Sequence, residues 1–367
     1  LLTCLLLLGG CASAPAEDAR QVVRLVAINV GKADCLLLEL GDARYLIDTG
    51  TVQSWGSMRA VLAERGVTRL NGVFLTHTDK DHGGGMIDLA QSAIEVDVWY
   101  APRMFADKKM EKHQAVQAAR LRGKEVVWLE AGQTLSLSEG MTLDVLSPRV
   151  LDEVNENNNS LVMRLQTPEG SMLLTGDMEY DAERVLLASD VPLASDVLKV
   201  GHHGENDATS LSFARAVAPK LAVISTNSQE EPDTPDPAIV GMLQTISAQV
   251  RITQEAPGGL EVTMAQGVPT VRLLTEKAWP AKANVSIAQV QAGMDTITLQ
   301  NESQDTVALA GWYLYSSTGD ERFDFPAQAS LAPGATIQIG SQSTETQVDL
   351  RWPDKKVIHR KKTDIFT

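Results

Sequence analysis

Histidines are rare in this chain of 367 residues, and most of them are concentrated in two short motifs. Of the six histidines, four occur within residues 77–82 and 202–203. Each motif follows closely on a short, mainly apolar run, residues 73–75 in one case and 197–200 in the other. Such runs are typical of buried strands, so the histidines are expected where two strands end. The chain must therefore fold so that the ends of distant strands meet.

Acidic residues accompany these histidines. Asp79 and Asp81 alternate with His77 in the sequence His-Thr-Asp-Lys-Asp-His, and alternating positions of an extended segment project to one side. A further acid, Asp177, follows the apolar run at residues 172–174. Carboxylates this close repel one another unless a cation compensates their charge. The pattern therefore predicts a metal site.

Composition and length indicate a folded chain of two domains. Hydrophobic residues make up 44% and charged residues 22%, as in ordinary globular proteins. Through residues 21–276, short apolar strands alternate with helical stretches, which favours sheets covered by helices. Residues 277–283 are small and polar with a proline and are expected to be a linker. In residues 284–367, short strands and turns without a helix predict a small all-β sandwich.

The first twenty residues predict an export signal and a tether. The apolar run at residues 1–10 is too short to span a membrane and is followed by small residues. The sequence Leu-Gly-Gly-Cys ending at Cys11 resembles the bacterial lipoprotein signal, in which the cysteine is lipidated. The resemblance implies a secreted protein attached to the membrane through an N-terminal lipid anchor, at the outer membrane or cell surface. A plain secretory signal with an incidental cysteine is the alternative.

The ordered motifs resemble those of the metallo-β-lactamase superfamily. These are His77-x-Asp79-x-Asp81-His82, then Gly176-Asp177, then His202-His203-Gly204. The match is closest to the ComEC-like branch of DNA-uptake channels, which also shows segments similar to residues 29–34, 47–50 and 159–162. The resemblance covers about residues 23–276 and implies an αββα sandwich with the metal site at one edge of its sheets. Residues 284–352 similarly resemble the immunoglobulin-like sandwich of the lamin-tail family.

The resemblance implies two divalent ions. His77 and Asp79 would bind the first ion, Asp81 and His82 the second, and Asp177 would bridge both. Either His202 or His203 would complete the second site. We expect His202 to be this ligand, because it comes first after the strand, and His203 to act in catalysis and contact a substrate phosphate.

Two features set expectations for the ions themselves. Asp79 stands where the superfamily commonly has histidine, and Asn159 lies near the position of its third metal-binding histidine, so the first ion is expected to be weakly held. The set contains no thiolate and many oxygen ligands. Such a site can bind Zn²⁺, but its metal preference is shifted toward Mn²⁺ or Mg²⁺. Asp81 would also orient the attacking hydroxide. Asp34 and Asp48 are expected to support the ligands rather than to bind metal.

Charge limits the ways in which a polyanion can bind. The chain has 47 acidic and 32 basic residues, a formal net charge of −15, which disfavours general adhesion to nucleic acid. A polyanionic substrate would need the metal ions or a local basic patch. The candidates for substrate binding are Asn159, Ser160, Lys199, Lys108, Lys109 and Lys112. The last three belong to a basic stretch that includes Arg122 and Lys124, and such a stretch is more often a solvated helix face than a binding patch.

Three functions are compatible with these observations. The first is a metal-dependent phosphodiesterase or nuclease that acts on extracellular or periplasmic DNA through a metal-activated hydroxide. The second is a phosphodiesterase for envelope polymers or phosphorylcholine-type esters. The third is a non-catalytic surface lipoprotein that captures DNA. The basic stretch from Arg351 to Lys362, with Trp352, could bind DNA or equally be a solvated tail. Metal content distinguishes the enzymes from the capture protein.

Overall fold

The computed structural model describes residues 22–105, 113–246, 248–275, 285–316 and 321–358. Cys11, the expected linker at residues 277–283, and Lys108, Lys109 and Lys112 lie outside these residues. Within the described ranges, no helix has both the length and the hydropathy needed to cross a bilayer.

The N-terminal part of the chain contains two large sheets and their covering helices. The strands are, in chain order, β1 (Val23–Ile28), β2 (Leu36–Leu40), β3 (Ala43–Ile47), β4 (Arg69–Leu70), β5 (Gly72–Phe74), β6 (Glu95–Val96), β7 (Trp99–Pro102), β8 (Val126–Leu129), β9 (Thr134–Ser138), β10 (Met141–Ser147), β11 (Val162–Thr167), β12 (Gly170–Leu174), β13 (Val197–Lys199), β14 (Leu221–Ile224), β15 (Gln249–Ile252), β16 (Gly259–Ala265) and β17 (Val268–Leu273). The helices are α1 (Trp55–Glu64), α2 (Lys80–Gly83), α3 (Met86–Gln91), α4 (Gln114–Leu121), α5 (Tyr180–Leu187), α6 (Leu211–Val217) and α7 (Pro237–Thr245). As far as the chain is described, one sheet has the order β17-β16-β1-β2-β3-β5-β7-β8 and the other β15-β14-β13-β12-β11-β10-β9.

Apolar side chains fill three layers of core. In β1, Leu25 and Ala27 pack between the two sheets, whereas Val26 and Ile28 pack under the helices. Burial on both faces explains why the strands are nearly continuous apolar runs. Helices α1, α3 and α4 cover the outer face of the first sheet, and α5, α6 and α7 cover the second. The αββα architecture expected from the resemblance is confirmed.

The direction of the strands determines where the polar motifs meet. Strands β3, β5, β7 and β8 are parallel neighbours in the first sheet, as are β12 to β15 in the second. The carboxyl ends of parallel strands lie at the same edge of a sheet, where ligands commonly bind. The histidine and aspartate motifs follow β5, β12 and β13, so this edge collects them.

The C-terminal part is all-β in the described residues from 285 onward. Its strands are β18 (Val285–Gln291), β19 (Thr296–Asn301), β20 (Val307–Ala308), β21 (Tyr313–Ser316), β22 (Glu321–Asp324), β23 (Ser330–Leu331), β24 (Thr336–Gly340) and β25 (Leu350–Arg351). Ile297, Leu314, Phe323 and Trp352 lie in one apolar core. Trp352 is fully buried there. Trp352 is therefore not available to contact a nucleic acid, which removes the aromatic side chain from the DNA-binding alternative for this stretch.

Leu38 offers a test of the layered core. It lies on β2 in the middle of the first sheet and is fully buried between the sheets. Leu38→Ala is expected to lower the free energy of unfolding by about 3 kcal/mol, because it removes buried methyl groups and leaves a cavity. Chemical denaturation measures this loss. The control Leu121→Ala, at a side chain that is 54% exposed, should change the stability by less than about 0.5 kcal/mol, and equal losses would contradict the layer assignment.

Candidate metal centre

Four side chains converge at the edge where the parallel strands end. Asp81, His82, Asp177 and His203 present ligand atoms that all lie within 4.8 Å of one another. Nε2 of His82 lies 3.0 Å from Oδ2 of Asp177, and Nε2 of His203 lies 3.1 Å from the same oxygen. Nε2 of His203 is also 3.3 Å from Oδ2 of Asp81. We call these residues the four-residue set.

Backbone hydrogen bonds fix the loop that carries Asp81 and His82. The backbone N–H and the hydroxyl of Thr49 both donate to the carbonyl oxygen of His82, at 2.7 and 3.0 Å. The N–H of Asp34 donates to the carbonyl oxygen of Asp81 at 3.1 Å. The position next to this short helix must be glycine, because a Cβ at Gly84 would lie 2.5 Å from the backbone nitrogen of Val52. The loop is therefore closely packed on the chain that follows β3.

Two hydrogen bonds orient the imidazole rings of the four-residue set. Nδ1 of His82 lies 2.7 Å from Oδ2 of the buried Asp48, whose other oxygen accepts the backbone N–H of Thr76. Nδ1 of His203 lies 2.8 Å from the carbonyl oxygen of Ser225. A carbonyl oxygen only accepts, so Nδ1 of His203 carries the proton and its Nε2 is directed at the carboxylates. Supporting contacts of this kind are usual for metal-binding histidines.

The polar atoms directed into this site lack aligned partners. Nε2 of His77, His82 and His203, and Oδ1 of Asp177, are buried and have no hydrogen-bond partner among the described residues. A buried polar atom without a partner costs about 1–3 kcal/mol, so a group of them requires an explanation. Nitrogen and carboxylate lone pairs that face one another are satisfied together by a cation. The donor set therefore fits a divalent metal ion.

The electrostatics of the site lead to the same conclusion. Burial alone lowers the pKa of His203, but Asp177 and Asp81 raise it to about 9. Burial likewise lowers the pKa of His82, and Asp177 and Asp48 raise it well above its usual range. Despite burial, the two imidazoles hold the pKa of Asp177 well below its usual value. The carboxylates thus attract positive charge strongly, and a metal ion would displace these protons when it binds.

His77 and Asp79 form a looser pair beside the four-residue set. Nε2 of His77 lies 3.6 Å from Oδ2 of Asp79, and the Asp79 side chain is 49% exposed. No third acid, histidine or cysteine in the described ranges joins this pair within 4.8 Å. The pair therefore offers fewer and less rigid ligands than the four-residue set does.

His202 lies outside the four-residue set, which differs from the expected assignment. Its Nδ1 is 2.8 Å from Oδ1 of Asp207, and its Nε2 is 3.3 Å from Nδ2 of Asn157. His202 and His203 both have left-handed backbone conformations, with φ of 44° and 54°. Their rings therefore diverge, and only His203 faces Asp81 and Asp177. The geometry favours His203 as the ligand in place of His202.

Asn159 and Ser160, expected at the substrate, are buried and engaged in the fold. The side-chain oxygen of Asn159 accepts the N–H of Asp152 at 2.9 Å, and its amide donates to the Asp152 carbonyl at 2.8 Å. Oγ of Ser160 accepts the backbone N–H of Asp177 at 3.1 Å. Neither residue is exposed to solvent, so neither can contact a substrate. Ser160 instead positions Asp177.

Lys199 is also fully buried. It therefore contacts other parts of the protein and not, as expected, a substrate. Its ammonium donates to the carbonyl oxygen of Gly176 at 3.1 Å, lies 3.6 Å from Oδ1 of Asp177 and pairs with Asp34. Burial lowers the pKa of Lys199, but the two carboxylates raise it by more, so the group stays charged. It compensates part of the acidic charge beside the metal centre. The sequence signal was an ionisable residue within an apolar strand.

The basic stretch near α4 is partly committed to the fold. Arg122 donates to backbone carbonyls of Ser92 and Ile94, and Lys124 donates to those of Val96 and Asp97. These two cations therefore hold neighbouring chain segments together rather than forming an open patch.

Comparisons with known proteins agree with this fold. The family described as the metallo-beta-lactamase superfamily matches residues 28–228, and the Lamin Tail Domain family matches residues 279–364. The chain belongs to the metallo-β-lactamase superfamily, whose fold implies divalent metal binding.

The chain is also similar to individual competence proteins and to a solved metallo-beta-lactamase fold structure. The chain is 29% identical to ComE operon protein 3 of Bacillus subtilis over 246 residues, which cover 62% of this chain and 31% of that protein. It is 27% identical to the competence protein ComA of Neisseria gonorrhoeae over 267 residues, which cover 71% of this chain and 35% of that protein. The chain thus spans about a third of the length of these curated relatives. The crystal structure of the metallo-beta-lactamase fold protein YhfI from Bacillus subtilis aligns with 66% of this chain and 100% of that chain, at 16% identity and a TM-score of 0.44.

Asp48 provides a test of how the ligands are held. Asp48→Asn replaces the carboxylate that is hydrogen-bonded to Nδ1 of His82 with an amide. The imidazole ring is then no longer held in one orientation. We expect the affinity for Mn²⁺ or Zn²⁺ to fall by about 10–100-fold, the usual cost of removing such a supporting contact. Titration calorimetry measures the change. The control Asp144→Asn removes a carboxylate that accepts from Thr134 on the surface, and similar affinities in both variants would contradict the role of Asp48.

Proposed function

We propose that this protein is a metal-dependent phosphodiesterase that cleaves extracellular or periplasmic DNA. The observation that carries the proposal is the four-residue set, in which two carboxylates and two imidazoles meet at the open edge of a metallo-β-lactamase fold. The competence-protein names of the curated relatives support DNA as the substrate. The oxygen-rich set suits Mn²⁺ or Mg²⁺ as well as Zn²⁺.

The residues of the set have separate roles in this proposal. His82, His203 and Asp177 are almost completely buried and hold the ion, whereas the Asp81 side chain is 31% exposed. When bound, a divalent ion supplies a Lewis acid for a phosphoryl oxygen and lowers the pKa of a bound water. Asp81 reaches the more exposed side of the set, where it orients the attacking water. A second ion would bind at His77 and Asp79 with lower affinity.

The adjacent residues His202 and His203 provide a matched pair of variants that tests which histidine binds the ion. His203→Ala removes a ligand of the four-residue set and is expected to lower the affinity for Mn²⁺ by at least about 100-fold. His202→Ala removes a ring that contacts Asp207 and Asn157, and it should leave the affinity within about threefold of the parent chain. Titration calorimetry on both variants decides between them. The reverse order would restore His202 as the ligand.

The activity itself is tested by incubating the chain with linear DNA, RNA and a generic phosphodiester in Mn²⁺, Mg²⁺ or Zn²⁺. We expect metal-dependent cleavage of DNA that Asp81→Asn lowers by about 10²–10³-fold, as is typical for loss of one polar contact that orients or stabilises the reacting groups. The control Asp181→Asn changes an exposed acid on α5 and should cleave at the parent rate. If Asp81→Asn cleaves DNA as fast as the parent chain, the site assignment is wrong.

A phosphodiesterase for envelope polymers or phosphorylcholine-type esters is the second candidate function. The observation that favours it is the engagement of Arg122 and Lys124 with backbone carbonyls, which reduces the basic surface available to a long polyanion. Cleavage of the generic phosphodiester without cleavage of DNA would support this candidate. Lys108, Lys109 and Lys112 stay proposed substrate contacts, and lipid attachment at Cys11 to the cell envelope stays part of the proposal.

A further inference from the structure

The C-terminal sandwich contacts the N-terminal domain beside the metal centre. The hydroxyl of Tyr313 on β21 donates to the backbone carbonyl of Val52. Arg322 on β22 forms an ion pair with Asp88 on α3, with 2.6 Å between Nη1 and Oδ1. The guanidinium of Arg322 lies 4.1 Å from the centre of the Tyr313 ring, so the two side chains support each other. We call Tyr313 and Arg322 the docking pair.

One contact of the docking pair reaches the segment that holds His82. Val52 belongs to residues 49–52, which follow β3 and lie against α2. Thr49 in this segment donates two hydrogen bonds to the carbonyl oxygen of His82. The backbone of Val52 lies so close to Gly84 that no side chain fits between them. A displacement of residues 49–52 would therefore displace His82.

The other contact reaches the helix that follows His82 along the chain. Asp88 lies in α3, and Gly84 and Gly85 alone separate α3 from α2. The Asp88 side chain is almost completely buried, and the ion-pair partner that the structure describes for it is Arg322 of the C-terminal sandwich. An unpaired carboxylate at this depth is strongly unfavourable. In the docked arrangement, the C-terminal sandwich therefore supplies the positive charge that compensates Asp88 next to the metal-site loop.

We propose that the C-terminal sandwich is a positioning element of the metal centre. The docking pair fixes residues 49–52 and α3, which flank His82 on both sides, and so raises the affinity for the ion. This inference rests on the metal-binding part of the proposed function and adds a role for the second domain. Because coupling between sites is reciprocal, a bound ion stabilises the docked arrangement by the same factor.

The test measures Mn²⁺ affinity of the whole chain by titration calorimetry. Arg322→Met is expected to raise the dissociation constant about tenfold, within the 5–150-fold range usual for coupled sites. The double variant Asp88→Asn/Arg322→Met leaves no unpaired charge in the interior, so it should fold well and still show the increase. Tyr313→Phe removes only the hydroxyl, and we expect an increase of about threefold.

A matched control separates docking from general loss of stability. Arg351→Met also removes an arginine of the sandwich, one whose hydrogen bonds go to the carbonyls of Ser341 and Thr344 in its own domain. It should bind Mn²⁺ as the parent chain does. Unchanged affinity in the double variant, or an equal loss in Arg351→Met, would overturn the inference. A parent chain that binds no metal would overturn the proposed function instead.

Discussion

Compensation of buried negative charge is the constraint on which this structure depends. Asp34, Asp48 and Asp177 are almost completely buried at one edge of the two sheets. Lys199 supplies one fixed positive charge, and the rest must come from protonated imidazoles or from a bound cation. A bound cation also satisfies the buried nitrogen and oxygen atoms that have no hydrogen-bond partner. Protonation of the imidazoles alone does not satisfy all of these atoms. The buried acids therefore link the folding of this edge of the sheets to its affinity for a metal ion.

The layered scaffold stabilises this arrangement of buried acids. Three apolar cores and two sheets with parallel strand ends hold the loops in place, and the loops themselves are fixed by backbone contacts such as those of Thr49 with His82. Ligand geometry is thus set by the packing and the backbone contacts of the scaffold. Asp88 extends the same principle across the domains, because its buried charge is compensated from the C-terminal sandwich.

The residue types of the site could be predicted, because clustered acids and histidines after apolar runs have direct physical consequences, whereas the αββα order of the layers followed from the resemblance to the metallo-β-lactamase superfamily. The choice between His202 and His203 could not, because it depends on backbone angles in a left-handed turn, not on residue type. Lys199 looked available to a substrate because lysine is usually exposed, and its partner Asp34 is remote in the sequence. The docking pair was missed for a related reason: single contacts between distant segments leave no periodic pattern.

The charge of the chain also bears on how it would hold a polyanion. With a formal net charge of −15, and with Arg122 and Lys124 directed at backbone carbonyls, attraction for a phosphodiester must come from the metal centre or from a local patch of other basic residues. Repulsion from the acids of the site is strongest when no ion is bound. Metal binding would then do more than enable chemistry, because a divalent ion offers a phosphate oxygen a direct positive ligand that the imidazoles do not. Contacts that hold His82 in place, including those from the second domain, would in this way govern substrate binding as well as turnover.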